Sequence, residues 1–172
     1  MTKLYIFLIA LFAINSANGQ GWQWLNPLPQ GNPLHCVTFV DSTLGYAVGE
    51  KGTILKTTNG GAVWTIQASG TLHDLFSVFF TDPVTGYIVG AAGTILKTTN
   101  GGTLWTMLTS GTSYDLTSVY FITTGTGTNA GYTVGDGGTI LMTPDGGTTW
   151  TSQVSGTIER LLSVYFTDLN NG

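Results

Sequence analysis

The amino-acid sequence predicts an all-β protein, a β-propeller made of four-stranded blades. A unit of about 41 residues repeats along the chain, and each copy contains four short strand patterns separated by turns. No stretch within the repeats has the 3.6-residue period of an amphipathic helix. Four strands in ~40–45 residues is the spacing of a propeller blade, so each copy is expected to form one blade.

Three complete copies and the start of a fourth can be aligned along the chain. They occupy residues 34–64, 75–105 and 116–150, and the incomplete copy occupies 161–172. In the second copy the four strand patterns are SVFF, GYIVG, TILKT and LWTML. The third copy is longer because TTGTGTNA is inserted between its first two strands, where we expect a flexible loop.

The turn between the third and fourth strands has the pattern T-x-N/D-x-G-x-x-W in all three copies. Its Asn or Asp side chain can accept backbone N–H bonds, and its glycine permits a positive φ. Its tryptophan can bury roughly 150–250 Å² against the core. We therefore expect a structural role for Thr57, Asn59, Gly61, Trp64, Thr98, Asn100, Gly102, Trp105, Thr143, Asp145, Gly147 and Trp150.

This turn resembles the Asp-box, also called the bacterial neuraminidase repeat. The longer string GYxVGxxGTILKTTNGGxxW is similar to the photosystem II assembly and stability factor family, over about residues 24–172. That resemblance implies a seven-bladed propeller that holds a precursor protein through a basic patch. The chain is acidic and Arg160 is its one arginine, so we expect a general exported binding propeller instead.

A closed ring of seven blades at ~40–45 residues each needs roughly 290 residues. We therefore expect residues 20–172 to be an N-terminal part, about three and a half blades, of a longer protein. A ring completed by self-association is the alternative.

The first 19 residues have the layout of a secretory signal peptide. Lys3 gives a positive start, LYIFLIALFAI is an apolar core, and NSANG supplies small residues before a cleavage site at Gln20. Eleven apolar residues are too few to cross ~30 Å of hydrocarbon as a membrane anchor. The pattern predicts a secreted, periplasmic or cell-surface protein without a membrane span after cleavage.

Composition excludes some functions. The formal net charge is −4 and only five residues are Lys or Arg, which argues against nucleic-acid binding. Cys36 is the single cysteine, so no internal disulfide can form, and we expect a small buried thiol. No His/Cys/Asp cluster has the spacing of metal ligands, and neither a metal nor a cofactor is predicted.

The copies differ most at two places, the turn between strands two and three and the link before the first strand. Both are expected on one face of the propeller, around the channel. We predict that this rim binds a protein or a cell-surface polymer, although surface turns can also vary without function. The rim residues are Glu50, Lys51, His73, Asp74, Tyr114, Asp115, Asp136, Glu159 and Arg160.

The alternative function is a glycoside hydrolase, sialidase-like or of another Asp-box type, whose catalytic residues are expected largely in the missing blades; a non-enzymatic protein is preferred. Sialidases of the Asp-box type hold a carboxylate with three arginines, whereas this chain has only Arg160. Other glycosidases use two carboxylates ~5–10 Å apart. Asp74 and Asp115 are the candidates for such a pair, and a loop-capping or solvated role is the other interpretation of both.

Overall fold

A computed structural model describes residues 31–122, 130–168 and 171–172. It contains three four-stranded antiparallel sheets, each with its strands in sequence order, which confirms the predicted propeller blades. Blade 1 contains β1 (Leu34–Phe39), β2 (Gly45–Gly49), β3 (Thr53–Thr57) and β4 (Thr65–Gln67). Blade 2 contains β5 (Leu75–Phe80), β6 (Gly86–Gly90), β7 (Ile95–Thr98) and β8 (Thr106–Leu108). Blade 3 contains β9 (Leu116–Ile122), β10 (Ala130–Gly135), β11 (Ile140–Thr143) and β12 (Thr151–Gln153).

The predicted signal peptide and most of the TTGTGTNA insertion lie outside the described residues. Among the residues that are described, no helix is long and apolar enough to cross a bilayer.

A single 3-10 turn joins the second and third strands of every blade, at Glu50–Gly52, Ala91–Gly93 and Asp136–Gly138. Its middle residue has a positive φ, which is 54° at Lys51, 53° at Ala92 and 64° at Gly137. Such a φ is uncommon for residues other than glycine. The sequence did not predict this turn as helical, because three residues are too short to show a helical period.

The hydrophobic core lies between neighbouring blades. Tyr46 and Val48 of blade 1 pack against Leu75, Val78 and Ile88 of blade 2. An equivalent cluster joins blades 2 and 3 around Tyr87, Leu116 and Phe121. The second strands β2 and β6 are buried along their whole length because both of their faces meet core side chains. Stability of this fold therefore depends mainly on contacts between blades.

A repeated aromatic ladder crosses each interface between blades. Tyr46 stacks on Phe80 with ring centroids 4.0 Å apart, and Trp105 meets the same ring edge-on at 6.0 Å. Tyr87, Phe121 and Trp150 repeat the arrangement at 3.9 and 6.0 Å. Stacked and edge-to-face rings are the favoured geometries of aromatic pairs. Trp105 and Trp150 are thereby each joined, through a phenylalanine of their own blade, to a tyrosine of the preceding blade.

Two donors from one blade converge on a single carbonyl of the next blade. The Tyr87 hydroxyl and the Lys97 ammonium each donate to the Gly146 carbonyl at 2.6 Å. Burial raises the pKa of Tyr87 to about 12, with smaller contributions from the charges of Asp82 and Asp145. The hydroxyl therefore keeps its proton and remains a donor.

The same contact joins blades 1 and 2, where Tyr46 donates to Gly101 at 2.8 Å and Lys56 donates at 2.6 Å. In the third blade Met142 occupies the register position of the two lysines, opposite Tyr132 of β10. That blade therefore has no lysine with which to make the contact.

The opening strand expected at residues 161–168 does not form a β-ladder. In the three blades the first strand bonds to the second strand of its own blade, and no described residue pairs with 161–166 in this way. The segment nevertheless packs on blade 3 like a first strand. Val164 N–H donates to Ser118 at 3.3 Å, as Val119 does to Ser77 at the same distance.

Cys36 is half-buried rather than fully buried, and its thiol is free. It lies against the core between blades 1 and 2. Cys36 takes the place of Ser77 and Ser118 in the repeat.

Candidate functional site

The rim consists of the 3-10 turns, 50–52, 91–93 and 136–138, and the links between blades, 69–74, 110–115 and 155–160. The structure places turns and links on one face, because their backbones are bonded together. Ala91 N–H donates to the Asp74 carbonyl at 2.8 Å, and Asp136 N–H donates to the Asp115 carbonyl at 2.9 Å. The Glu50 N–H makes the equivalent bond to Pro33.

Asp74 and Asp115 cap the 3-10 turn of the preceding blade. Asp74 Oδ1 accepts the Lys51 N–H at 2.9 Å, and Asp115 Oδ1 accepts the Ala92 N–H at 2.9 Å. Each carboxylate thus satisfies the amide of a residue with positive φ. This is the loop-capping role that the sequence allowed as an alternative to a catalytic pair.

The residue before each of these aspartates, and Asn32 before Pro33 in the first blade, contacts the turn of its own blade or the threonine that follows it. His73 Nδ1 lies 2.9 Å from Thr94 Oγ1, and the Asn32 amide donates to Thr53 Oγ1 at 3.0 Å. The Tyr114 ring lies over Gly137, where an added Cβ would come within 2.9 Å of it. The links 69–74 and 110–115 therefore each hold two neighbouring turns, one with each of their last two residues.

Sequence reasoning missed this second contact because the side chains at this link position differ in chemical type. The signal available in the sequence was the threonine of the shared Gly-Thr-Ile-Leu segment, because its hydroxyl is the group that the link residue contacts in blades 1 and 2. The hydroxyl of that threonine also bonds within its own turn, as Thr94 does to the Ala91 carbonyl at 2.6 Å.

In the third blade the positive side chain is on the link and the negative side chain is on the turn. Arg160 stands at the position of Asp74 and Asp115, and its Nε lies 2.9 Å from Asp136 Oδ1. The two side chains are 53% and 36% exposed, so solvent screens this ion pair. Glu159 is exposed, and its carbonyl accepts the Gly138 N–H at 2.9 Å.

A cavity of about 840 Å³ opens between the two links beside the turn of blade 3. Its lining includes Tyr114, Gly137, Gln153, Ser155 and Thr157, and no charged side chain lines it. The Tyr114 side chain is 56% exposed at this place. The arrangement offers an aromatic ring and hydroxyl or amide groups to a ligand.

A smaller cavity of about 630 Å³ occupies the equivalent place in blade 2. There His73 and Ala92 replace Tyr114 and Gly137, and Met107 adds an apolar wall. The rim residues thus lie at successive interfaces between blades. Tyr114, Asp136, Glu159 and Arg160 belong to the third blade and its links.

The Asp-boxes lie on the face opposite the rim and form closed hydrogen-bond networks. Thr143 donates to Asp145 Oδ1 at 2.8 Å, and the Gly147 N–H donates to Thr143 Oγ1 at 2.8 Å. The Thr149 N–H donates to Asp145 Oδ1 at 2.9 Å. This backbone bond, with the Thr149 and Thr143 hydroxyls, lowers the pKa of Asp145 to about 2. Asn59 and Asn100 make the matching bonds in blades 1 and 2.

The three Asp-box tryptophans differ in burial. Trp105 is only 5% exposed, whereas Trp64 and Trp150 are half-buried. Trp64 meets Phe39 edge-on at 6.0 Å, and Phe39 is 47% exposed because no described tyrosine stacks on it.

Over residues 31–122, 130–168 and 171–172, no group of three His, Cys, Asp or Glu side chains is placed to hold a metal ion.

Solved structures share this fold. A structure of YCF48 bound to D1 peptide is 25% identical with a TM-score of 0.65, over 77% of this chain and 43% of that chain. YCF48 from Cyanidioschyzon merolae is 24% identical with a TM-score of 0.64, over the same shares of the two chains. An ancestral GH74 enzyme is 20% identical with a TM-score of 0.64, over 84% of this chain and 21% of the enzyme. At 24% and 20% identity these last two similarities show the fold alone.

None of the curated proteins compared with the chain matches it significantly. The chain spans less than half the length of the YCF48 structures that it matches. The family model of the photosynthesis system II assembly factor YCF48 matches residues 14–165. Because that match covers most of the sequence, this propeller chain belongs to the YCF48 family.

Proposed function

We propose that the chain is an exported, non-enzymatic binding module that holds a protein partner on its rim over blade 3. Membership of an assembly-factor family supports a binding role, and a structure of YCF48 contains a bound peptide. The observation that carries the proposal is the exposed Tyr114 ring beside the cavity of about 840 Å³.

The contacts divide the rim residues into two groups. The side chains of Asp74, Asp115 and His73 are bonded to neighbouring turns, so they maintain the architecture. The side chains of Tyr114 and Glu159 are exposed and make no hydrogen bond to the described residues. The binding surface is therefore narrower than the nine rim residues that the sequence suggested.

Binding at this surface needs little rearrangement of the protein. Tyr114 is supported by the backbone of Gly137, and its own N–H is bonded to Thr112 Oγ1 at 3.1 Å. A supported aromatic ring loses little conformational entropy when a partner covers it. Such residues often contribute most of the binding energy of an interface.

The glycoside hydrolase alternative is not proposed. Asp74 and Asp115 each cap a different turn, and the GH74 enzyme resembles the chain in fold alone.

Site-specific photo-crosslinking in the producing cell tests the binding surface. A benzophenone amino acid at position 114 should crosslink to a defined partner protein, and Tyr114→Ala with Glu159→Ala should weaken capture of that partner. The matched control carries the same probe at Leu104, which is exposed on the Asp-box face. Equal crosslinking to the same proteins from both positions would refute the proposed surface.

Export is tested separately by N-terminal sequencing of the protein recovered outside the cytoplasm. We expect a mature chain that begins at Gln20. An intact N-terminus on the recovered protein would contradict cleavage.

A further inference from the structure

The geometry points to a carboxylate-binding site on the turn of blade 3, formed by the Gly137 N–H and the Arg160 guanidinium. Its ligand class is an aspartate side chain in a partner peptide. This inference rests on the proposed function and names the chemical group that the rim recognises.

The three copies of the turn provide the comparison. In blades 1 and 2 the N–H of the middle turn residue is bonded to a carboxylate, Lys51 to Asp74 and Ala92 to Asp115, both at 2.9 Å. The blade 3 turn has the same backbone conformation, with a φ of 64° at Gly137. The chain supplies Arg160 where the carboxylate would be, and none of the turn and side-chain hydrogen bonds among the described residues uses the Gly137 N–H.

The replacement provides a cation beside the unused donor. The Nε of Arg160 is paired with Asp136, which leaves the terminal N–H groups of the guanidinium available. A carboxylate at Gly137 can accept from the backbone N–H and from the guanidinium together. Hydrogen bonds between ionised groups of this kind are roughly twice as strong as neutral ones.

The charges around the site imply that it recognises a carboxylate through short-range contacts. Asp136 is paired with Arg160, and Asp115 accepts the Ala92 N–H. Glu159 is the remaining charged neighbour, and it is exposed to solvent. Since the carboxylates outnumber the single cation, selectivity comes from directed donors at short range and not from long-range attraction.

Space for the rest of a peptide exists next to these donors. Gly137 is exposed, the Tyr114 ring lies against it, and the cavity of about 840 Å³ opens beside both. The chain itself shows which group fits this place in the other two copies, an aspartate preceded by a ring and followed by leucine, in His73-Asp74-Leu75 and Tyr114-Asp115-Leu116. An aspartate-containing peptide is therefore the matching ligand.

The test uses the full chain labelled with ¹⁵N and the peptide acetyl-Ser-Tyr-Asp-Leu-amide, which copies residues 113–116. Titration should shift the Gly137 amide proton downfield, as expected for a new bond to a carboxylate. The matching peptide with Asn in place of Asp should bind about tenfold more weakly, a change equivalent to ~1.4 kcal/mol. No shift at Gly137, or equal binding of the two peptides, would overturn the inference.

Two variants separate recognition from folding. Arg160→Asp restores the internal cap of the other two turns, so it should move the Gly137 amide proton downfield without peptide and abolish peptide binding. Arg160→Gln removes the charge without adding a cap and should weaken binding by about tenfold. Wild-type affinity in both variants would refute the role of Arg160. Equal binding of free galacturonate would replace the peptide assignment with an acidic saccharide.

Failure of this inference can be distinguished from failure of the proposed function. If crosslinks from position 114 persist while the peptide leaves Gly137 unchanged, the rim binds a partner by other contacts and the carboxylate site is wrong. If the peptide binds at Gly137 but position 114 captures no partner, the site exists and the proposed function is wrong.

Discussion

Trp105 lies where an Asp-box meets the aromatic ladder, and replacing it with alanine tests how much the contact between blades stabilises the fold. Burial of an indole side chain removes ~150–250 Å² from water. At ~25 cal/mol per Å² this amounts to about 4–6 kcal/mol, which is an upper estimate. Measured values for Trp→Ala in cores are ~3–5 kcal/mol, and we expect Trp105→Ala to fall in that range.

Trp64 provides a matched control within the same chain. It occupies the same motif, but it is half-buried, and its partner Phe39 is itself partly exposed. The larger exposed fraction of Trp64 predicts a smaller cost for Trp64→Ala, about 2–4 kcal/mol. The difference between the two variants measures what the preceding blade contributes.

Urea unfolding followed by far-UV circular dichroism measures both costs without relying on the fluorescence of the deleted indole. The midpoint should fall further for Trp105→Ala than for Trp64→Ala, with similar slopes. Equal losses would show that the tryptophan stabilises only its own hairpin, and the argument from contacts between blades would then be wrong.

Two further substitutions test polar groups. Thr133 is fully buried and its hydroxyl has no partner among the described residues, so Thr133→Val should stabilise the chain by about 1–2 kcal/mol, seen as a higher Tm; a lower Tm would show that the hydroxyl is satisfied. The pKa of Asp145 falls from 3.8 to about 2 on folding, so its carboxylate stabilises the fold above pH ~4 and loses this effect as the pH drops towards 2. Asp145→Asn should therefore lower the Tm at pH 6 and differ less from the wild type near pH 2; a difference independent of pH would contradict this.

The blades and the Asp-box turns could be predicted because their signals are local and repeated. Each strand is a short apolar or alternating run, and each turn needs a glycine and a small polar side chain at fixed spacing. The aromatic ladder was less visible. Tyr46 and Phe80 lie in different copies, and only the packing of one blade on the next shows that they stack.

The sequence indicated that the turns and links share one face, but it could not show which groups their side chains contact. Whether a carboxylate binds a ligand or caps a turn depends on which backbone N–H lies near it, and that N–H belongs to another blade. Asp74 and Asp115 were therefore open to a catalytic interpretation until Lys51 and Ala92 were found as their donors. The unused donor at Gly137 became visible only when the three turns were compared in space.

The contact between blades has a direction. Each of the first two blades presents its tyrosine and lysine on one side, and the glycine carbonyl that receives such groups belongs to the following blade. Two copies of one blade thus carry complementary sides and can join front to back, but they cannot pair face to face through this contact. Tandem gene duplication suits such a unit, because a new copy already carries the glycine carbonyl that accepts the tyrosine and lysine of the copy before it.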